Sequence, residues 1–276
     1  MSTAVSEAVA AGVLPGRVWM YSNYHCNLAC SYCLTESAPG VAKRQLTAEA
    51  MLHVADQAAE LGFTSLGVTG GEPFLAPTMA DTLARLAERL PVVALSNGTL
   101  FAGSRLSALA PLAGADVALQ ISLDSADPDV NDAARAPDNF AKVVEAIPRL
   151  VERGIEVRIA TTVEDPDADD LARLCELHRR LGVSDNHHVV RPVVHRGRAI
   201  DTDMGVTATS ADLPAELTIT ADGAFWSPFG PTVHDRVVDT DLLITRTTDP
   251  LRVPAAALLA LVEDHPPGED QTLNIR

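Results

Sequence analysis

The feature that most limits the fold of this chain is a regular alternation of short apolar segments with longer amphipathic ones, which runs from residue 17 to residue 194. The short segments predict strands because they are rich in β-branched and apolar residues. They read RVWMYS (17–22), SLGVTGGEP (65–73), VVALSNGTL (92–100), DVALQISLDS (116–125), IEVRIATTV (155–163) and NHHVVRPVV (186–194). The longer segments have helical periodicity and cover 46–62, 79–90, 104–113, 139–154 and 167–182.

Strands that alternate with helices of roughly 10 to 17 residues form βαβ units and a parallel sheet. Six such strands predict an α/β fold in which the sheet curls into a partial (β/α)6 barrel. In that architecture the chemistry belongs at the carboxyl ends of the strands. The glycine turn at 70–71, Ser96-Asn97 and Asp124 all fall at such ends.

The pattern changes after about residue 200. The segment 216–230 alternates like a hairpin and carries Asp222-Gly223, which favours a tight turn, and 254–264 predicts a final helix. We therefore expect an N-terminal arm (1–16), a partial barrel (17–200) and a short C-terminal extension (201–276).

Composition limits the kind of partner. The chain has 37 Asp and Glu against 21 Lys and Arg, a net charge of −16. A field of that sign repels phosphate backbones, so we expect no nucleic-acid partner. We also expect no membrane partner, because no run approaches the roughly 18 apolar residues of a membrane span. The N-terminus lacks the basic region of a secretory signal, which predicts a cytoplasmic protein.

Three of the four cysteines, Cys26, Cys30 and Cys33, lie within eight residues, while Cys175 is far away. Such a trio in a cytoplasmic chain indicates a metal site rather than disulfides. Zinc in structural sites takes four ligands, and the nearest fourth ligand, His25, is awkwardly adjacent to Cys26. A cubane iron–sulfur cluster also takes four ligands, so three cysteines would leave one iron open for a small molecule. Spacing alone leaves both possibilities open.

The context of the trio resembles a known family. The stretch Cys26-Asn27-Leu28-Ala29-Cys30-Ser31-Tyr32-Cys33 is similar to the signature loop of the radical S-adenosylmethionine (radical SAM) superfamily. A second match, Thr69 followed by Gly70-Gly71-Glu72-Pro73, ends the second predicted strand. Weaker matches follow in the family's order: Ser96-Asn97-Gly98, Ser122-Leu123-Asp124 with Arg135, and Gly197-Arg198-Ala199.

The resemblance implies one [4Fe–4S] cluster on Cys26, Cys30 and Cys33, with S-adenosylmethionine (SAM) on the open iron. In the family, one electron from the cluster cleaves SAM to a 5′-deoxyadenosyl radical, which takes a hydrogen atom from the substrate. It also implies a flavodoxin- or ferredoxin-type electron donor. The implied SAM-binding residues are Tyr32, Gly70, Gly71, Glu72, Pro73, Ser96, Asn97, Ser122, Asp124 and Arg135. Among them, Ser122 and Arg135 suit a carboxylate, because a guanidinium binds both of its oxygens.

The C-terminal extension resembles the SPASM or twitch tails of this family without their cluster ligands. Those tails often begin Asp-Gly-x-x-x-Cys, whereas here Ser227 stands in the cysteine position and no cysteine follows residue 175. We therefore expect no auxiliary cluster. A redox-neutral reaction follows from that expectation: epimerisation, rearrangement, elimination or decarboxylation. Cys175 lies mid-helix, where a small buried apolar role is favoured over hydrogen-atom donation.

The leading hypothesis is a radical SAM enzyme acting on a small metabolite. Maturation of a ribosomally made peptide competes with it, although a short N-terminal arm leaves no room for a peptide-binding domain. Modification of transfer RNA is disfavoured by the net charge. A non-catalytic zinc-binding scaffold is the alternative from another class.

Alternation along the sixth strand places Arg191 and His195 on one face, where they would hold an anionic group or form a solvated strand end.

Overall fold

The computed structural model describes residues 3–165 and 167–266. Nine strands form one sheet in the order β11-β8-β7-β1-β2-β3-β4-β5-β6. The first six are β1 (Arg17–Tyr21), β2 (Ser65–Thr69), β3 (Val92–Ser96), β4 (Val117–Ser122), β5 (Glu156–Val163) and β6 (His188–Pro192). The others in this sheet are β7 (Thr218–Thr220), β8 (Gly223–Phe225) and β11 (Leu243–Thr245), while β9 (Val233–His234) and β10 (Val237–Val238) form a separate hairpin.

Helices connect the first six strands and flank the sheet. They are α1 (Ala4–Ala10), α2 (Ala48–Glu60), α3 (Met79–Ala87), α4 (Gly103–Ser107), α5 (Pro128–Ala134), α6 (Asn139–Glu152), α7 (Ala168–Arg180) and α8 (Arg252–Asp264). The starts of α2 and α5 follow ordinary capping chemistry. The hydroxyl of Thr47 accepts from Ala50 N at the start of α2, and the Asp127 carboxylate accepts from Asp129 N at the start of α5.

Strands β1 to β6 pair with their neighbours in parallel. Both faces of a parallel sheet are covered, and β1 to β4 are accordingly buried almost throughout, whereas β5 is buried at half of its residues and β6 is half-buried along its length. All six carboxyl ends therefore meet at one edge. The predicted partial barrel is confirmed, and its strand ends gather the loops that carry the cysteines and the glycine turn.

The C-terminal extension adds strands to the same sheet. Strand β7 pairs in parallel with β1, with Trp19 opposite Thr218, and returns through Gly223 into the antiparallel strand β8. Gly223 has φ +146°, which explains the preference for glycine in the predicted turn. The N-terminal arm forms α1, which packs against α8 through buried Val5 and Val9. Residues 1–2 and 267–276 of the predicted arm and extension lie outside the described residues.

Two local predictions differ from the structure. The helix expected over 104–113 divides into α4 and a 3₁₀ turn at Ala110–Leu112, where Pro111 cannot supply a helical N–H. Strand β6 ends at Pro192, so its alternation does not reach His195, which hydrogen-bonds Met204 O instead. The expectation that Arg191 and His195 share a strand face is wrong for that reason.

No helix within the described ranges is both long and apolar enough to cross a bilayer.

Candidate active site

A cavity of about 200 Å³ opens at the carboxyl ends of the parallel strands. Residues from all six strand ends and from the C-terminal extension line it. Its lining residues are Tyr21, Cys26, Leu28, Cys30, Tyr32, Cys33, Leu34, Thr35, Ser37, Thr69, Gly70, Gly71, Leu95, Ser96, Asn97, Ser122, Arg135, Thr162, Arg191, Pro192, Val194, Pro228 and Phe229. The three clustered cysteines thus share one cavity with most of the predicted SAM-binding residues.

The cysteine loop supplies three free thiols to this cavity. Cys26 Sγ accepts from Leu28 N at 3.4 Å and lies 3.6 Å from Asn97 Nδ2. Burial raises the pKa of the Cys26 thiol to about 12, and the Leu28 N–H opposes that shift. A bound metal centre would stabilise the thiolate form that burial disfavours.

The spacing of the three sulfurs disfavours a single zinc ion. Tetrahedral Zn–S bonds of 2.3 Å place the sulfurs roughly 3.8 Å apart. Among the described residues, only Glu36, Asp201 and His234 bring three such ligand atoms within 4.8 Å of one another. The cysteine sulfurs are spread more widely, as suits ligands that bind different irons of one cluster.

The loop backbone is held from outside by the turn that follows β6. Arg198 donates from its backbone N–H to Cys33 O at 3.0 Å and from its guanidinium to Cys30 O at 2.5 Å and Ser37 O at 3.1 Å. Gly197 adopts φ +58°, and a Cβ there would lie 2.3 Å from Leu34 O. This close approach explains the glycine before Arg198.

The glycine turn after β2 presses against the segment that leads into Cys26. Gly70 has φ +144°, and a Cβ there would lie 2.5 Å from Asn23 O. A Cβ on Gly71 would lie 2.1 Å from His25 O. The turn is fixed by hydrogen bonds from Gly71 N to Asn23 O and from Glu72 N to His25 O, both 3.0 Å. The glycines therefore join the ends of β1 and β2, and they also line the cavity.

Glu72 is completely buried behind the turn and does not line the cavity. Its carboxylate accepts from Phe74 N at 3.0 Å, from Asn97 N at 2.8 Å and from Ser96 Oγ at 3.0 and 3.1 Å. Burial raises the pKa of Glu72 to about 7, against the effect of these donors. Glu72 thus ties the end of β2 to the end of β3. Pro73 begins the 3₁₀ turn beside it and also lies behind the cavity wall.

A second buried network joins the cysteine loop to β4. Tyr32 donates its hydroxyl hydrogen to Asp124 Oδ2 at 2.5 Å and accepts from Arg135 Nη1. Arg135 Nη1 also donates to Asp124 Oδ2 at 3.0 Å, and Thr162 N donates to Asp124 Oδ1 at 3.0 Å. Burial raises the pKa of the Tyr32 hydroxyl well above its usual value, while Arg135 opposes the shift. Of these residues, Tyr32 and Arg135 line the cavity, whereas Asp124 lies behind them.

The structure brings most predicted site residues together and places three behind them. Those that line the cavity are Cys26, Cys30, Tyr32, Cys33, Gly70, Gly71, Ser96, Asn97, Ser122 and Arg135. Glu72, Pro73 and Asp124 support this lining. Sequence reasoning missed Tyr21, Thr162 and the pair Pro228-Phe229. The alternation of β5 was a usable signal for Thr162, whereas nothing local marks Pro228, which accepts from the Tyr21 hydroxyl at 2.6 Å.

Cys175 lies on the other side of the sheet. Its Sγ is 3.9 Å from His188 Nδ1, and His188 Nε2 is 2.9 Å from the Thr161 hydroxyl. Residues 188 and 191 of one strand point to opposite faces. Since Arg191 lines the cavity, His188 points to the opposite face of the sheet, towards Cys175 of α7, and Cys175 is not placed to return a hydrogen atom to a substrate in the cavity.

The donor set fits a cluster and SAM. Three free thiols at one end of the cavity supply soft ligands for iron. Beyond them, hydroxyl, amide and guanidinium groups of Ser96, Asn97, Ser122 and Arg135 suit the amine, ribose and carboxylate of SAM. The chain therefore has both the ligands and the polar surface that the two cofactors need.

Comparison with known proteins agrees with this arrangement. A family model described as the Radical SAM superfamily matches residues 20–178, more than half of the chain. The chain is 31% identical over 161 residues to the antilisterial bacteriocin subtilosin biosynthesis protein AlbA of Bacillus subtilis (strain 168), covering 58% of this chain and 36% of AlbA. It is 30% identical over 181 residues to the AdoMet-dependent heme synthase of Methanosarcina barkeri, covering 64% of this chain and 50% of the synthase.

A third relative is the PqqA peptide cyclase of Ruegeria pomeroyi, 30% identical over 162 residues that cover 58% of this chain and 42% of the cyclase. The chain thus spans half or less of the length of these relatives. Among solved structures, Streptococcus suis SuiB bound to S-adenosylmethionine aligns with 72% of this chain and 45% of SuiB, at a TM-score of 0.57 and 19% identity. That likeness supports the fold.

Proposed function

Because this chain belongs to the radical SAM superfamily, we propose that it is an enzyme whose Cys26, Cys30 and Cys33 hold one [4Fe–4S] cluster beside a SAM-binding cavity. The observation that supports this assignment best is the shared cavity. Three free thiols, the glycine turn and the polar ends of β3 and β4 all line one space at the carboxyl ends of six parallel strands. A scaffold that only bound zinc would need none of the residues beyond the thiols.

When bound, the cluster and SAM supply one-electron chemistry and a radical that abstracts hydrogen, which no side chain provides. The chain's own residues would bind and orient. Ser122 and Arg135 would hold the SAM carboxylate, with Asp124 fixing the guanidinium from behind at 3.0 Å. Ser96 and Asn97 would contact the ribose or amine, and Glu72 would keep both in place through its buried hydrogen bonds.

The extension would close the cavity around the substrate. Pro228 and Phe229 line it, and the Tyr21 hydroxyl donates to Pro228 O at 2.6 Å, which ties this wall to β1. A covered cavity excludes water and so protects a reactive intermediate. In this proposal, the described part of the C-terminal extension serves as a wall of the substrate site rather than as a holder of further clusters.

We favour a ribosomally made peptide as the substrate. The PqqA peptide cyclase and the subtilosin biosynthesis protein are relatives whose names connect them with peptide products. The small metabolite that the sequence alone favours is the second candidate, and the likeness to the heme synthase supports it. In either case a flavodoxin- or ferredoxin-type protein would supply the electron.

The test uses anaerobically reconstituted protein, reduced and mixed with SAM. We expect about four irons per chain and 5′-deoxyadenosine formation that rises with the true substrate, supplied as candidate peptides or metabolites. Cys30→Ala serves as the control that loses iron. Stoichiometric zinc without iron-dependent SAM cleavage would contradict the proposal. Product analysis also tests the redox-neutral prediction, since a product oxidised by two electrons in stoichiometric yield would overturn it.

A further inference from the structure

Arg191 stands out in the cavity because no direct partner among the described residues neutralises its charge, and Asp124, which pairs with Arg135, favours that charge only from a distance. It is the fourth residue of β6, opposite Thr162 of β5 in the parallel register, and both side chains line the cavity. Within the described part of the chain its side chain has no hydrogen bond and no ion pair, and its Nε is buried without a partner. Burial lowers the pKa of its guanidinium.

The other charged group of the cavity differs in this respect. Arg135 is neutralised by Asp124 at 3.0 Å and also donates to Tyr32. No Asp or Glu is among the residues that line the cavity, although the whole chain carries a net charge of −16. The cavity is therefore a locally positive site in an acidic protein, and it attracts anions.

Arg191 is half-buried, and a partly desolvated cation without a paired counter-ion is costly unless a ligand completes the pair. SAM brings a single carboxylate, for which Ser122 and the oriented fork of Arg135 already form a site on β4 and α5. Arg191 projects from β6 and lies near Tyr32 and Asp124 as well as near Tyr21 of β1, whose hydroxyl binds Pro228 O. Because Asp124 and Tyr32 already bind Arg135, Arg191 is the cation left for a group of the substrate.

We propose that Arg191 binds an anionic group of the substrate, a carboxylate or a phosphate, and so selects acidic substrates. This inference rests on the proposed function, since it assumes that SAM occupies the β1–β4 side of the cavity. It narrows the substrate class to peptides with an acidic side chain or free C-terminus at the reaction site, or to anionic metabolites. Arg191 is then a specificity-determining residue that touches the substrate.

The experiment measures binding without turnover. Cluster-loaded, unreduced protein saturated with SAM is titrated with succinate, with inorganic phosphate and with uncharged succinamide by calorimetry. We expect at least one of the two anions to bind and succinamide to bind at least tenfold more weakly. Arg191→Gln should weaken the anion by about tenfold or more, which corresponds to about 1.4 kcal/mol. Arg191→Lys should retain part of the affinity. The better-bound anion distinguishes a carboxylate from a phosphate site.

Arg173→Gln is the matched control, because it removes one positive charge from the exposed surface of α7 and should leave anion affinity unchanged. SAM affinity of each variant is measured in parallel. Unchanged anion binding in Arg191→Gln overturns the inference, as does failure of the unaltered protein to bind either anion. A tenfold loss of SAM affinity with anion binding intact overturns it too, because Arg191 would then belong to SAM. Failure of the proposed function appears separately, as absent SAM cleavage under reducing conditions.

Discussion

The cavity has two halves, one at the ends of β1 to β3 and the other at the ends of β4 to β6, and the two differ in the groups that line them. At the ends of β1 to β3, backbone and neutral side chains face the cavity, and the buried carboxylate behind them, Glu72, has all its acceptors occupied. On the β4 to β6 side, the charged side chains of Arg135 and Arg191 face the cavity, and within the described ranges Arg191 has no hydrogen bond or ion pair. In the first half the buried polar groups around Glu72 are hydrogen-bonded before any ligand binds. In the second half the guanidinium of Arg191 can still bind a ligand.

The largest effect is expected from disrupting the hydrogen bonds of Glu72 in the β1 to β3 half. Glu72→Gln replaces one acceptor oxygen with an NH₂ that faces either Asn97 N or Phe74 N, so two donors would meet in a buried site. We expect a loss of about 4 kcal/mol in the free energy of unfolding, measured with urea on the metal-free protein. Glu60→Gln, on the exposed end of α2, is the control and should change little. A loss below about 1 kcal/mol for Glu72→Gln would show that this half does not depend on its carboxylate.

The next effect breaks the second half. Asp124→Asn removes the charge that pairs with Arg135 at 3.0 Å and weakens the bond to Thr162 N. We expect a loss of about 3 kcal/mol, with a weaker affinity for SAM because Arg135 is no longer oriented. Exposed Asp116→Asn is the matched control. If the halves are independent, the double variant with Glu72→Gln should show additive losses within about 0.5 kcal/mol. A larger coupling energy would mean that the halves act as one unit.

A smaller effect is expected from loss of the hydrogen bonds by which Arg198 holds the cysteine loop. Arg198→Met removes two guanidinium hydrogen bonds to Cys30 O and Ser37 O, worth about 2 kcal/mol in total. We expect near-normal folding but faster loss of iron to a chelator and a broadened electron paramagnetic resonance signal. Arg196→Met is the control, because that neighbouring guanidinium binds Thr232 and Asp241 instead. Equal iron loss in both variants would argue against a specific hold on the loop.

The smallest expected effect concerns the pH dependence of stability and His178 of α7, which packs outside the β4 to β6 half. His178 is buried with neither ring nitrogen hydrogen-bonded, and burial, with His188 nearby, lowers its pKa to about 3. The unfolded chain takes up a proton near pH 6.5 that the folded chain excludes, so stability falls as pH drops from about 6.5 towards 3.

The slope of this loss is about 1.4 kcal/mol per pH unit for one such group. His178→Leu should remove it, which urea unfolding at pH 7 and pH 5.5 would detect. The exposed His53→Leu should leave the pH dependence as it is. An unchanged slope in His178→Leu would show that His178 is not the acid-sensitive group.

How far the sequence predicts the molecule differs between the same two halves. The strand order, the shared edge and the position of the glycine turn at that edge follow from local patterns, since the strand ends carry short motifs, whereas the contacts of the turn with Asn23 and His25 were not predicted. That Arg191 forms no ion pair could not be predicted in this way, because the lack of a counter-ion depends on every residue around it. Glu72 was expected among the SAM-binding residues, and only the fold shows it behind the cavity wall. The pairing of β7 with β1 was also missed, since two strands about 200 residues apart carry no local sign of contact.

The place of β1 between β7 and β2 has a consequence for synthesis on the ribosome. Trp19 N donates to Leu217 O at 2.8 Å, and Trp19 pairs with Thr218. Until residues near 220 have emerged, one edge of the first strand has no hydrogen-bonding partner, and an open strand edge invites pairing with other chains. The nascent protein must therefore either keep β1 from settling or be shielded while it waits. The strand that leads into the cysteine loop is among the first made and among the last to be finished.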